Sequence, residues 1–184
     1  MFDIIVATDI NNGIGKNNKF PWRIKEDMEY FKKHSSFTPY PNSKNVVIMG
    51  YNTWVSIPEK NRPLEDRINI IITKNHEDEL SELNYEDLHV SNSFQNALDI
   101  AYSLKIVNNT FVIGGKQIYQ DALKHPDLRY MYLTLIKGNF NCDIKLDYSA
   151  KNFEKVYESD IDIFNDKVTK DHVEMQFVTL KKIE

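Results

Sequence analysis

The chain has 184 residues, 41% of them apolar and 27% charged, with 10 Tyr, 10 Phe and 2 Trp, a composition that excludes a disordered chain and allows one buried core. Its 23 Lys and Arg against 27 Asp and Glu leave a formal charge of −4, no footprint for nucleic acid or an anionic membrane. No apolar run approaches the roughly 20 residues of a membrane helix, Met1-Phe2-Asp3 does not open a signal peptide, and one cysteine, Cys142, excludes an intrachain disulfide and fits a reducing compartment.

A first strand is predicted over Asp3–Thr8. Its Ile4-Ile5-Val6-Ala7 run is nearly continuous with the strand, as are Val46-Val47-Ile48-Met49 and Ile68 to Ile72 in two later strands, Asn45–Met49 and Arg67–Thr73. Such runs belong to strands buried on both faces, in a sheet covered by helices. The polar connection Asp9–Lys19 follows. Its Gly13-Ile14-Gly15 begins like a dinucleotide fingerprint, but a third glycine is missing and Phe20-Pro21-Trp22 stands where a helix should start. That excludes a standard Rossmann site and favours a mobile loop over a pocket.

A helix is expected over Ile24–His34. At about 100° per residue, Ile24, Met28 and Phe31 make an apolar stripe opposite Lys25, Glu26, Glu29, Lys32 and Lys33. Asp27 falls at the stripe's edge, between Phe31 and Tyr30. A carboxylate there loses hydration, which raises its pKa unless a donor-rich ligand compensates. A flat heterocycle with adjacent N–H groups could engage both oxygens; a local cap or pair is the plain alternative.

Gly50 ends the strand Asn45–Met49 and leads to a short helix, Asn52–Ser56. Arg62, in the connection Pro58–Asp66, and Arg67 are solvated surface charges, or Arg67, entering a buried strand, clamps a carboxylate bidentately. Beyond a polar connection around Asn75–Asp87, Ser93 caps a helix over Ser93–Leu104 that carries Phe94, Ala97, Leu98 and Ala101 at helical spacing. The strand Thr110–Ile113 ends in Gly114-Gly115, and a helix over Lys116–Lys124 follows. In a chain with six glycines, two strand–Gly–helix junctions offer free helix N–H groups and close backbone approach, which suits a dinucleotide pyrophosphate better than two ordinary β–α turns. Strands at Arg129–Lys137, Phe153–Ser159 and His172–Lys181 complete the pattern, with Asp160–Thr169 as a loop and the last strands as an antiparallel edge. The five histidines show no ligand spacing, so no metal is expected. The fold class is α/β, a single domain over residues 1–184.

These residues resemble dihydrofolate reductase along essentially the whole chain. The matching pieces run in order: Ile4-Ile5-Val6-Ala7, Gly13-Ile14-Gly15, Pro21-Trp22, Asp27 with Phe31, and Val47-Ile48-Met49-Gly50 with Thr53-Trp54. Then come Ser56-Ile57-Pro58-Glu59-Lys60-Asn61-Arg62-Pro63-Leu64, Arg67-Ile68-Asn69, Ile113-Gly114-Gly115 with Tyr119, and Leu133-Thr134. Singly they are weak; their joint order and spacing are specific. The resemblance implies a mixed, mainly parallel eight-stranded sheet with helices on both faces. It also implies reduction of 7,8-dihydrofolate to tetrahydrofolate, in support of one-carbon metabolism and thymidylate synthesis, with hydride passing from NADPH to C6 and a proton reaching N5.

By position, the resemblance assigns catalysis to Asp27, Thr134 and Trp22. Asp27 would bind the pterin 2-amino group and N3, supported by Thr134 through a water, with water as the proton donor to N5. Ile5, Val6, Met28, Phe31, Ser56, Ile57, Asn61 and Leu64 would line the substrate pocket with Tyr119, and Arg67 would pair with the glutamate α-carboxylate. Ala7, Ile14, Ile113 and Tyr119 would surround the nicotinamide. Gly15, Gly50, Asn52, Thr53, Thr73, Gly114, Gly115, Lys116, Gln117 and Ile118 complete the cofactor site, with a cis peptide joining Gly114 to Gly115. Tyr51-Asn52 replaces the basic residues common after the first junction, leaving Lys74 as the cation for the cofactor's 2′-phosphate. The same resemblance implies a cytoplasmic monomer. A pteridine or pyrimidine reductase shares the cofactor side, but Arg67 and the Ser56–Leu64 block favour a substrate with a glutamate tail. A catalytically idle folate-binding module is the alternative of another class, and intact Asp27, Thr134 and Tyr119 speak against it.

Overall fold

The computed structural model describes residues 1–183. After β1 (Phe2–Thr8) and the short β2 (Gly13–Gly15), the chain takes three steps in one direction. α1 (Lys25–Ser36) leads to β3 (Lys44–Gly50), α2 (Tyr51–Ser56) to β4 (Arg67–Ile72), and α3 (Glu77–Glu82) to β5 (Leu88–Ser91). α4 (Phe94–Ser103) then brings the chain back to β6 (Val107–Gly114), which inserts between β1 and β3, and α5 (Lys116–Lys124) leads to β7 (Leu128–Lys137) on the other side of β1. All of these strand neighbours are parallel.

The chain closes with β8 (Ile144–Lys145), β9 (Phe153–Glu158), β10 (Asp162–Asn165) and β11 (His172–Lys182). β11 lies antiparallel against β7, and its outer edge is shared, β10 pairing with its first half and β9 with its second. Nine strands therefore make a sheet eight strands wide, in the order β10-β11-β7-β1-β6-β3-β4-β5 with β9 beside β11. This is the expected mixed, mainly parallel sheet with an antiparallel C-terminal edge.

Parallel crossovers are right-handed, so the direction of travel decides which face each helix covers. The outward steps put α1, α2 and α3 on one face, and the return puts α4 and α5 on the other. The strands then alternate between two cores. Ile4, Val6, Val46, Ile48, Ile68, Ile70 and Val112 pack with Phe94, Leu98, Ile118 and Leu123 of α4 and α5. Ile5, Val47, Met49, Ile71, Phe111 and Ile113 pack with Trp54, Leu80, Tyr30 and Phe31 of the outward helices. A nearly continuous apolar run is what a strand facing two cores produces, with exceptions such as Asn69, whose side chain is bonded to the backbone of Leu64 and Arg67.

β5 and β8 lie where the sequence predicts no strand, and four connections expected as loop contain structure, Pro58–Asp66 holding a single helical turn at Glu59–Asn61. The expected loop Asp160–Thr169 holds β10, the connection Asn75–Asp87 holds α3, and Asp9–Lys19 holds β2, which pairs with β8. Each is too short to show a period. α3 buries only Leu80, and β10 exists because β11 supplies its hydrogen-bond partners.

Candidate active site

The order of strands opens a crevice at the carboxyl ends of β1, β6 and β3, where the direction of travel reverses; such switch points are where open α/β sheets bind ligands. α1 packs on one face of the sheet, against β3. Its entry is held by Asp166, a buried residue of the β10–β11 turn, whose Oδ1 accepts the Arg23 N–H at 2.8 Å. The same carboxylate takes N–H bonds from Val168 and Thr169 and the Thr169 hydroxyl. Burial pushes its pKa up, but these donors outweigh it and leave Asp166 below the ordinary value. Sequence reasoning missed this residue; the Asp166-Lys167-Val168-Thr169 pattern of an Asx turn was its only signal.

Asp27 sits in the first turn of α1. Loss of hydration pushes its carboxyl up to about 6, against the pull of the Thr134 and Trp22 side chains that face it. Thr134 comes from β7, in register with Ala7 of β1 and Phe177 of β11, and is buried. Trp22 is also buried and packs edge-on against Phe140, ring centroids 5.1 Å apart. From α5, the Tyr119 hydroxyl donates to the Ile5 carbonyl at 3.0 Å. Burial and the nearby Asp27 charge hold its phenol far above its usual pKa. The sequence-predicted trio Asp27, Thr134 and Trp22 is therefore brought together.

The expected apolar stripe on α1 is covered only in part. Ile24 is fully buried, but Met28 is 56% exposed and Phe31 only partly covered. The only fully buried residue of the helix itself is Ser35. α1 leaves part of this face open to solvent rather than packed in a filled core. Ile5, Phe31, Ile57 and Leu64 gather in one apolar cluster there, with Ser56 donating to the Thr53 carbonyl at 2.6 Å. Val6 points to the opposite core with Ile118 and Tyr119, and Asn61 is exposed in the turn Glu59–Asn61.

Arg67 marks the other end of α1. It is 4% exposed, its Nε donates to the Glu65 carbonyl at 2.9 Å and its Nη1 to Ser35 Oγ at 2.8 Å, and its guanidinium lies 5.7 Å from the Phe31 ring centre. Burial lowers its pKa, while Asp66 and Glu65 act the other way from a distance. Among the described residues no carboxylate lies within ion-pair distance of it. A buried guanidinium without a bonded anion is an unusual use of a costly charge.

The two glycine junctions lie side by side, because Met49 and Gly114 are register partners. Gly50 and Gly115 occupy the N-cap positions of α2 and α5, neither with a side-chain cap. The Gly114–Gly115 peptide is cis, and Gly114 has φ +124°, a conformation L side chains rarely adopt. A Cβ on Gly114 would sit 3.3 Å from Thr53 Oγ1 and 3.4 Å from the Tyr119 ring, and one on Gly115 would sit 3.2 Å from Thr53 Oγ1. Bare backbone and free N–H groups form a cradle that fits a pyrophosphate. Further out, Thr73 is buried and its Oγ1 accepts the Asn75 and His76 N–H groups, while Lys74, Asn52, Lys116 and Gln117 are exposed. Gln117 is engaged with Asp121 on its own helix. Ile14, from β2, packs partly against the core beside Val6 and Tyr119.

Comparison with known proteins agrees with this geometry. The chain is 37% identical over 168 residues to the dihydrofolate reductase of Pneumocystis carinii, covering 85% of this chain and 80% of that one. It is 40% identical over 141 residues to the dihydrofolate reductase of Heliothis virescens, covering 77% and 76%. The bifunctional dihydrofolate reductase-thymidylate synthase of Glycine max matches at 36% over 146 residues, 77% of this chain and 27% of that protein. The sequence model of the family described as dihydrofolate reductase matches residues 1–182. With the strand order, the facing Asp27 and Thr134 and the paired glycine junctions in place, the chain belongs to the dihydrofolate reductase family.

Proposed function

We infer that this chain reduces 7,8-dihydrofolate to 5,6,7,8-tetrahydrofolate with NADPH, holding the pterin at Asp27 and the glutamate tail at Arg67. The observation that carries the reading is the pair of charges at the two ends of α1. A carboxyl with a raised pKa lies in its first turn, and a buried guanidinium without a bonded anion rests on Ser35 in its last. Eight residues of helix separate Asp27 from Ser35, about 12 Å, a span for a ligand with N–H donors at one end and a carboxylate at the other.

At the pterin end, Asp27 accepts the 2-amino and N3 hydrogens, and Thr134 supports it through a water. Its carboxyl, at about 6 without ligand, is mostly ionised at neutrality, the form that accepts these hydrogens, and it promotes protonation of N5 indirectly, with water as the donor. Phe31, Ile57 and Leu64 enclose the benzoyl group and exclude water from it. At the tail end, the guanidinium of Arg67 takes the α-carboxylate in a charge-assisted bond.

NADPH, when bound, supplies the hydride for C6. The cradle of Gly50, Gly114 and Gly115 with Thr53 suits its pyrophosphate, Ala7, Ile14, Ile113 and Tyr119 orient the nicotinamide against the pterin, and Lys74 is the cation for the 2′-phosphate. The single, partly buried Cys142 supports a reducing compartment, and we place the protein in the cytoplasm as a one-domain monomer. The test is NADPH consumption with dihydrofolate, in the parent and in Asp27→Asn. Turnover by the parent and a loss of about 100-fold or more in the variant are expected. No turnover by the parent overturns the activity, and full activity in the variant overturns the role of Asp27.

A further inference from the structure

A second carboxyl at this end of the sheet has no part in the chemistry above. Asp9 directly follows β1 and is 2% exposed. Its Oδ1 accepts the Asn11 and Gly13 N–H groups, both at 2.8 Å, and its Oδ2 accepts the Phe140 N–H at 3.2 Å. Burial pushes its pKa up; the donors from Gly13, Asn11 and Phe140, with the Cys142 thiol, outweigh burial and leave it below the ordinary value.

Two loops meet on this charge. The first starts β2, whose Gly13 and Gly15 pair with Lys145 and Ile144 of β8. Its fit is close: a Cβ on Gly13 would run into the Cys142 side chain and come within 2.8 Å of Asp9 Oδ1. The second carries Phe140, whose ring packs edge-on against Trp22, and Trp22 faces Asp27. One carboxylate thus touches the backbone that carries Ile14 and Gly15 and the backbone that supports Trp22.

We propose that Asp9 is a positioning residue for the reductase reaction, fixing the Gly13–Gly15 strand on the cofactor side and, through Phe140, Trp22 on the pterin side. This rests on the reading that Ile14 and Gly15 face the nicotinamide and Trp22 the pterin. A charge suits the task because N–H bonds to a carboxylate are stronger than neutral ones and both oxygens accept. An asparagine in its place turns an NH2 group toward one of the three donors.

The test compares Asp9→Ala and Asp9→Asn with Leu98→Val, a core substitution in α4 on the far face of the sheet. NADPH affinity, kcat and KM for each substrate, and hydrogen exchange of the Gly13 and Phe140 amides are measured. Asp9→Ala is expected to weaken NADPH binding about tenfold and to lower kcat by a similar factor, with a smaller rise in KM for dihydrofolate, because Asp9 reaches Trp22 only through Phe140. Asp9→Asn falls between it and the parent, and the two amides exchange faster in the same order. Leu98→Val lowers the melting temperature without these effects. Unchanged NADPH affinity and kcat in Asp9→Ala, or a loss shared equally by both substrates and reproduced by Leu98→Val, overturns the proposal. If Asp9→Ala does not fold, parent-like binding, kcat and amide exchange in Asp9→Asn overturn it. Ile14→Ala separates the two readings: if it leaves NADPH affinity unchanged, the cofactor-side assignment fails. A weakened Ile14→Ala beside an unaffected Asp9→Ala removes only the role given to Asp9.

Discussion

Replacing Asp27 by asparagine is expected to stabilise the ligand-free protein while disabling it. In the unfolded chain this carboxyl titrates near 3.8, and in the folded protein at about 6. The folded state therefore keeps the proton to higher pH than the unfolded state does. A raised folded pKa contributes no penalty below 3.8; the penalty grows between 3.8 and about 6 and is constant above that window. Two pH units at 1.36 kcal/mol each make it about 3 kcal/mol at pH 7.5, and about 1 kcal/mol at pH 4.5. Asparagine keeps the shape and never carries the charge. Urea unfolding of parent and Asp27→Asn at both pH values, without cofactor or folate, measures the difference. The variant's advantage is expected to widen by about 2 kcal/mol from pH 4.5 to 7.5, roughly 1 M in midpoint, with the slope unchanged. An advantage equal at the two pH values, or shrinking as pH rises, refutes the claim that burial sets this carboxyl's pKa. The trade is one expected of binding sites, where a group is held ready for a ligand at the expense of the empty fold.

Three further outcomes follow from the same geometry. Arg67→Ala is expected to raise KM for dihydrofolate about 10- to 100-fold, the worth of a charge-assisted bond, while a dihydropterin lacking the glutamate tail is reduced equally well by parent and variant; an equal loss for both substrates removes the clamp. Lys74→Ala is expected to weaken NADPH binding and leave NADH binding almost unchanged, so titration with both cofactors decides whether this exposed side chain reads the 2′-phosphate. Gly114→Ala places a methyl at φ +124°, against Thr53 and Tyr119; thermal or urea unfolding is expected to show a loss of about 1–3 kcal/mol, and NADPH titration a loss of affinity.

Much of the site was legible because its residues break local rules. An aspartate at the margin of an apolar stripe and an arginine at the mouth of a buried strand conflict with the plain requirements of helix or sheet, and three of the six glycines gather at two strand–helix junctions. The conflict marked the first two, and the placement marked the glycines. Asp9 and Asp166 gave no such signal, since an aspartate in a polar loop looks like any other until the backbone donors around it are known.

From the sequence alone came the central strands, because a strand covered on both faces is apolar at nearly every position, and the longer helices, whose period of 3.6 records one apolar face. Tertiary structure decided what local pattern does not encode. It inserted β6 between β1 and β3, and so created the crevice. It brought Tyr119 to the Ile5 carbonyl and Arg67 to Ser35, made β10 a strand by giving it a partner, and left Met28 of the apolar stripe exposed. Those outcomes depend on segments far apart along the chain, and a hydrogen bond or a packed face between them has no local period to announce it.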